Sequence, residues 1–261
     1  MPRHAIKVHT LGISSSELLV IVNKVALAFP QLNLIIYSDE ETGAGLVLSI
    51  EQKKRALADD LEQCQNTIRQ VLKDRIWGVN NETLSEVVGK MLADFDLALS
   101  TAESCTGGLL ASLITDVHGS SQFFHQGYVT YSNAAKMSLL GVSKKTLDTH
   151  GAVSKACVRE MIEGLLERTT ADYVLATSGY VDPDTQGTEK EPGLVFIGTG
   201  SRHKINIQAF RFTADRKTNK LMAASHALNL LRLMLLKDSR KDILQTKQPA
   251  NKPAKSENRL P

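Results

Sequence analysis

Apolar positions recur along this chain with two different periods, and the changes of period mark its elements. Between residues 6 and 10 they alternate, as in a half-buried strand. Over residues 14–29, Leu18, Val22 and Val25 return at helical spacing, with Ser14, Ser15 or Ser16 placed to cap the start. Residues 33–37 and 45–50 are short apolar runs of strand type, and the acidic, glycine-bearing link at 38–45 predicts a hairpin between them. A long, mostly polar helix is expected over 51–73. Strand, helix, hairpin and helix make a small α+β layer, one sheet with two covering helices.

Ile76-Trp77-Gly78-Val79 and the polar Asn80-Asn81-Glu82 mark a hand-over to a second unit. Thr83 is placed to cap a helix running to about residue 93, because Glu86 stands three residues later in the capping-box position. Strands at 98–102, 127–132, 173–178, 194–199 and 205–212 then interleave with helices at 107–116, 133–140 and 154–169 and a closing helix at about 218–236. Such interleaving predicts the α/β class, a layered α/β/α sheet covered on both faces, preceded by the smaller α+β domain. The expected boundaries are 1–80, 81–237 and a tail at 238–261. That tail sets Pro249, Pro253 and Pro261 among Lys, Asn, Gln and Ser, so it lacks apolar residues to pack and is expected to be disordered and without a catalytic role.

Composition narrows the classes. With 261 residues, 42% hydrophobic and 23% charged, the chain can bury a real core. The net charge of +3 would suggest a nucleic-acid partner, but residues 237–261 alone hold seven basic and three acidic residues. The basic excess therefore belongs to the tail and not to a folded face. Cys64, Cys105 and Cys157 show no ligand or disulfide spacing. Neither an 18-residue apolar run nor a signal-type segment after Met1-Pro2-Arg3-His4 is present, so a cytoplasmic protein without membrane contact is expected.

The strongest chemical signal is Thr101-Ala102-Glu103-Ser104-Cys105-Thr106-Gly107-Gly108, where a strand gives way to a helix. Such a junction exposes a side chain at the sheet edge, and glycines let a substrate approach the backbone. Ser104 would stand beside free N–H groups able to hold a phosphate or an oxyanion. A plain Gly-rich turn with Ser104 as a helix cap fits the spacing equally well. A serine nucleophile needs a base. His118, His125 and His150 lie near glycine turns, the usual setting of solvated histidines, whereas Lys136 in Tyr128-Val129-Thr130-Tyr131-Ser132-Asn133-Ala134-Ala135-Lys136 could serve if burial lowers its pKa. Tyr131, at the expected strand end, could converge with it. The plainer alternative makes Tyr131 a packed aromatic and Lys136 a solvated lysine. Cys105 is a competing nucleophile, since a thiol at a helix start can have a lowered pKa.

Read together, residues 102–108, Gly119-Ser120-Ser121, Tyr131-Ser132-Asn133-x-Ala135-Lys136, Leu140-Gly141-Val142 and His150-Gly151-Ala152-Val153-Ser154 closely resemble the C-terminal, nicotinamide-nucleotide amidase domain of the CinA (competence/damage-inducible protein A) family. The resemblance covers roughly residues 83–236. Residues 5–80, with Leu11-Gly12-Ile13 near their start, look like the KH-type middle module of full-length CinA proteins, whose opening molybdopterin-binding-like module is expected to be missing. The resemblance implies hydrolysis of nicotinamide mononucleotide to nicotinate mononucleotide and ammonia, in NAD salvage, with no metal and no cofactor. It places the nucleophile at Ser104, the other catalytic residues at Tyr131 and Lys136, and substrate contacts at Thr106, Gly107, Gly108, Ser178 and Arg216. In the implied scheme Lys136 takes the Ser104 proton with Tyr131 relaying or orienting it, N–H groups around residues 106–108 hold the oxyanion, and Arg216 meets the phosphate. Dimers are common among such proteins, so a homodimer is expected.

The sequence departs from the family where a Gly-rich loop follows a late strand. Here the run is Ser178-Gly179-Tyr180-Val181-Asp182-Pro183-Asp184-Thr185-Gln186-Gly187, then Lys190-Glu191-Pro192-Gly193, and Ala134 replaces the family's glutamate. Asp182 sets a side chain where bare backbone could approach a ligand, and would repel a phosphate. Three outcomes stay open: the amidase itself, an amidase for a different amide, or a relative that binds a nucleotide or partner without turnover. RNA binding through the first unit is disfavoured, because residues 5–80 hold neither a Gly-x-x-Gly loop nor a basic excess.

Overall fold

A computed structural model describes residues 5–39, 45–52, 58–184 and 191–238. The first unit is built from β1 (Ala5–Thr10), α1 (Ser15–Ala28), β2 (Leu32–Asp39), β3 (Gly45–Gln52), α2 (Ala58–Leu72) and β4 (Ile76–Val79). Its antiparallel sheet has the order β2-β3-β1-β4. Ser14 caps α1 in a reciprocal box with Glu17, and Leu18, Val22 and Val25 face the sheet.

Two expectations change. The helix expected from residue 51 begins at Ala58, because Glu51 and Gln52 extend β3 opposite Asn33 and Leu32. Residues 76–79, read as a hand-over, form the fourth strand, pairing Val8 with Val79 and His9 with Gly78. Most of the hairpin link at 40–44, the first residues expected in the helix at 53–57, and the tail at 239–261 lie outside the described residues.

The second unit comprises α3 (Leu84–Asp94), β5 (Leu99–Glu103), α4 (Leu109–Thr115), β6 (Phe124–Val129), α5 (Asn133–Leu140), α6 (Lys144–His150), α7 (Lys155–Arg168), β7 (Tyr173–Gly179), β8 (Leu194–Ser201), β9 (Ile205–Arg211) and α8 (Arg216–Lys237). Its sheet has the order β6-β5-β7-β8-β9, with β6, β5 and β7 parallel and the last two strands antiparallel. Leu99, Leu175 and Ile197 pack toward Leu110, Leu228 and Leu231 on one face. Ala102, Val174 and Ala176 pack toward Leu140, Val158 and Ile162 on the other. Burial on both faces explains why β7 reads as an unbroken apolar run.

β6 lies three residues earlier than expected, because the chain leaves the sheet at Thr130, whose N–H donates to the Glu103 carbonyl, and Ser132 then caps α5. Helix α6, not foreseen, is seven residues long and capped by Ser143, itself tied to Glu160 on α7. From β5 the chain moves to β6 on one side and later to β7 on the other. The connections thus reverse at β5, and the crevice beyond the C-terminal ends of such strands is where open α/β sheets bind ligands. Ser104 immediately follows that strand.

Candidate active site

The turn after β5 is held from beneath by a buried carboxylate. Glu103 Oε2 accepts from the N–H groups of Gly108 and Leu110 at 2.9 and 3.0 Å, and Oε1 accepts from Ala111 at 2.8 Å. Ser104 donates its N–H to the Thr177 carbonyl on β7, at 3.0 Å, and Gly107 donates to the Ser104 carbonyl at 3.2 Å. Gly107 and Gly108 have φ of +62° and +95°, a region that penalises side chains, so the glycines let the chain fold over Glu103.

Lys136, one turn into α5, reaches under the same turn. Its Nζ lies 3.0 Å from Ser104 Oγ, 2.8 Å from the Thr130 carbonyl oxygen and 3.5 Å from that of Tyr131. Lys136 is 1% exposed and Ser104 8%, and among the described residues no carboxylate makes an ion pair with the amine. Burial therefore lowers the Lys136 pKa below that of an ordinary lysine, an effect only partly opposed by Cys157 and Cys105. Sequence reasoning left open whether Lys136 is a solvated surface lysine. The structure places it inside, against Ser104.

The other expected site residues divide. Thr106 Oγ1 bonds Thr177 Oγ1 at 2.7 Å, and Ser178 Oγ donates to the Ala152 carbonyl at 2.7 Å, so both buried hydroxyls stitch the turn and β7 into the scaffold. Gly107 and Gly108 line the turn, but their N–H groups are committed to Ser104 and Glu103. This corrects the expectation that N–H groups as far as residue 108 stand free for an oxyanion. Tyr131 is 64% exposed, and its hydroxyl meets Arg216 Nη2 at 3.4 Å, while its carbonyl, not its hydroxyl, faces Lys136. The reason is the early end of β6, which leaves Tyr131 in the turn outside the sheet.

Arg216, at the start of α8, also donates from Nη1 to Asp182 Oδ2 at 2.6 Å, and this carboxylate raises its pKa. Cys105 is buried, and desolvation pushes its thiol up to about 12, the opposite of an activated nucleophile. His118, His125 and His150 are exposed. Two side chains beside the turn were missed: Glu103, whose only sequence signal was an acid just before a glycine turn, and Lys220. The Lys220 ammonium lies 3.6 Å from the point a Cβ on Gly107 would occupy. Nothing in the sequence tied residue 220 to residue 107.

A layered α/β sheet with a buried serine–lysine pair at its topological switch defines the class of this protein. Residues 81–235 match the model of the CinA C-terminal domain, and the chain belongs to the CinA family. It is 46% identical over 167 residues to a CinA-like protein of Endomicrobium trichonymphae, covering 64% of this chain and 39% of that one. With a CinA-like protein of Chloroherpeton thalassium it shares 36% identity over 232 residues, covering 87% and 55%. It thus spans about half the length of the curated relatives it matches. The crystal structure of a competence-damaged protein (CinA) superfamily protein from Klebsiella pneumoniae superposes with a TM-score of 0.57 at 36% identity, covering 59% of this chain and 96% of that one. Among the described residues no helix is long and apolar enough to cross a membrane.

Proposed function

We propose that this protein is an amidase that hydrolyses the carboxamide of nicotinamide mononucleotide, giving nicotinate mononucleotide and ammonia for NAD salvage, with Ser104 as nucleophile and Lys136 as base. The observation that carries this reading is the 3.0 Å approach of a buried lysine amine to the Ser104 hydroxyl. A neutral amine has two N–H bonds and one lone pair. The carbonyls of Thr130 and Tyr131 take the two N–H bonds, which leaves the lone pair for the serine proton.

As Ser104 Oγ bonds to the carboxamide carbon, its proton passes to Lys136. Of the turn's N–H groups, those of Ser104 and Gly107 go to carbonyls and that of Gly108 to Glu103, so those of Cys105 and Thr106 are the donors for the oxyanion. Collapse breaks the C–N bond, and ammonia leaves with the proton from Lys136. Water then attacks the Ser104 ester, Lys136 accepts its proton, and the carboxylate departs as Ser104 is reprotonated. Neither a metal nor a cofactor enters these steps. The Tyr131 hydroxyl and Arg216 meet at 3.4 Å and form one wall of the mouth. The protein acts in the cytoplasm, as a homodimer.

The test is ammonia and nicotinate mononucleotide release by the wild type beside Ser104→Ala and Lys136→Ala. Turnover is expected in the wild type alone, with losses of about 10²–10⁴ in the lysine variant. No turnover in folded wild-type protein sinks the reading. One observation favours a second reading, an amidase for another amide: Asp182 occupies Arg216, the residue expected to meet a phosphate. Faster release from unphosphorylated nicotinamide riboside would select it.

A further inference from the structure

We propose that Lys220 is the residue that takes the anionic group of the substrate, while Asp182 keeps Arg216 out of that role. The inference rests on the mononucleotide reading and names the subsite for its phosphate. Among the described residues, three cationic side chains stand around the Ser104 turn. Lys136 is buried under Ser104 and serves the reacting atoms. Arg216 already spends one face of its guanidinium on Asp182 and another on the Tyr131 hydroxyl. Lys220 makes no ion pair and no hydrogen bond among the described residues, and it is half-buried, so its stem is held while its charge stays uncompensated.

Its position completes the argument. Lys220 follows Arg216 by four residues on α8, so the two share one face of the helix. Its ammonium hangs over Gly107, three residues past the nucleophile, 3.6 Å from where a Cβ would stand. With no side chain at residue 107, an anionic group lying along the turn meets the ammonium directly. A phosphate monoester suits an ammonium acting as a point charge. To use Arg216 instead, the same phosphate must displace the Asp182 carboxylate and then lie beside it.

The experiment is calorimetric titration of nicotinamide mononucleotide and nicotinamide riboside into full-length Ser104→Ala protein, which binds without turnover, alone and with a second substitution. The mononucleotide should bind about tenfold more tightly than the riboside, a preference that Lys220→Met erases and Lys220→Arg largely keeps. Arg216→Met should change it by no more than about twofold. A preference that survives Lys220→Met, a preference lost in Arg216→Met, or no measurable mononucleotide binding each overturns the inference. Preference carried by Lys220 in a wild type that releases no ammonia overturns the amidase reading alone. Thermal unfolding of each variant, with the arginine variant as the conservative control, separates a lost subsite from a lost fold.

Discussion

At the residue scale the decisive group is Lys136, because its burial is at once the source of its chemistry and a cost to the fold. Desolvation keeps its folded-state pKa below that of the unfolded chain, so between those two values the unfolded state holds the extra proton. Stability from this group is complete above the unfolded pKa and is lost as pH falls toward and through the folded one. The stability difference between Lys136→Met and the wild type should therefore shift in favour of the methionine variant as pH drops from about 10.5 toward neutrality, read from urea unfolding at several pH values. A difference independent of pH would mean the amine titrates normally and cannot be a base near neutrality. Turnover should rise with pH through the same lowered pKa. Local pattern made Ser104 and Lys136 candidates, at a strand–turn–helix junction and one turn into the next helix, but left the plain cap and the solvated lysine open. The family resemblance gave them their roles, and burial of Lys136 against Ser104 is a long-range fact that only the fold shows. The direction of the Tyr131 hydroxyl was not legible in the sequence, since it depends on where β6 leaves the sheet, which pairing with β5 sets from far along the chain.

At the element scale, the short helix α4 owes its place to Glu103. Two carboxylate oxygens take three backbone N–H groups, one receiving two and the other one, in a site 1% exposed. An amide has one acceptor oxygen, and its NH₂ would confront an N–H. Glu103→Gln should thus cost about 1–3 kcal/mol in urea unfolding and lower kcat more than it raises KM, because the Ser104 turn loses its floor. Unchanged kcat with lowered stability would leave Glu103 a purely structural cap. Helix ends were readable where the cap is local, as at Ser14 with Glu17 and Thr83 with Glu86. The start of α6 has a local cap too, Ser143 Oγ accepting the Thr146 N–H at 3.1 Å. The carboxylate that completes it is Glu160 of α7, seventeen residues from Ser143 in the chain, so no acid stood at the capping-box position to announce it.

At the scale of the whole molecule, α8 joins both sheets to the site. Its first turns carry Arg216 and Lys220, while Arg232, farther along, is buried and donates to the carbonyls of Ile76, at 3.1 Å, and Asp74, at the entry to β4. Leu11 and Trp77, from the first unit, pack into the same core as Leu228 and Leu231. This seam explains why residues 76–79 looked like a boundary while serving as a strand: Trp77 packs into the second unit's core, Ile76 packs on the first unit's core, and the backbone pairs with β1. Desolvation lowers the Arg232 pKa, so the guanidinium is tolerated there only because carbonyls and Asn229 accept its donors. Arg232→Met keeps the bulk and strands those carbonyls, at about 1–3 kcal/mol. Trp77 is the single tryptophan, so its fluorescence reports the seam while far-ultraviolet circular dichroism reports all the helices. In the wild type the two urea transitions should coincide, as one cooperative unit requires. In Arg232→Met the fluorescence transition should come first, the seam opening ahead of the second sheet. Coincident transitions in the variant, shifted or not, would show that packing of Leu11 and Trp77 couples the two sheets without the arginine.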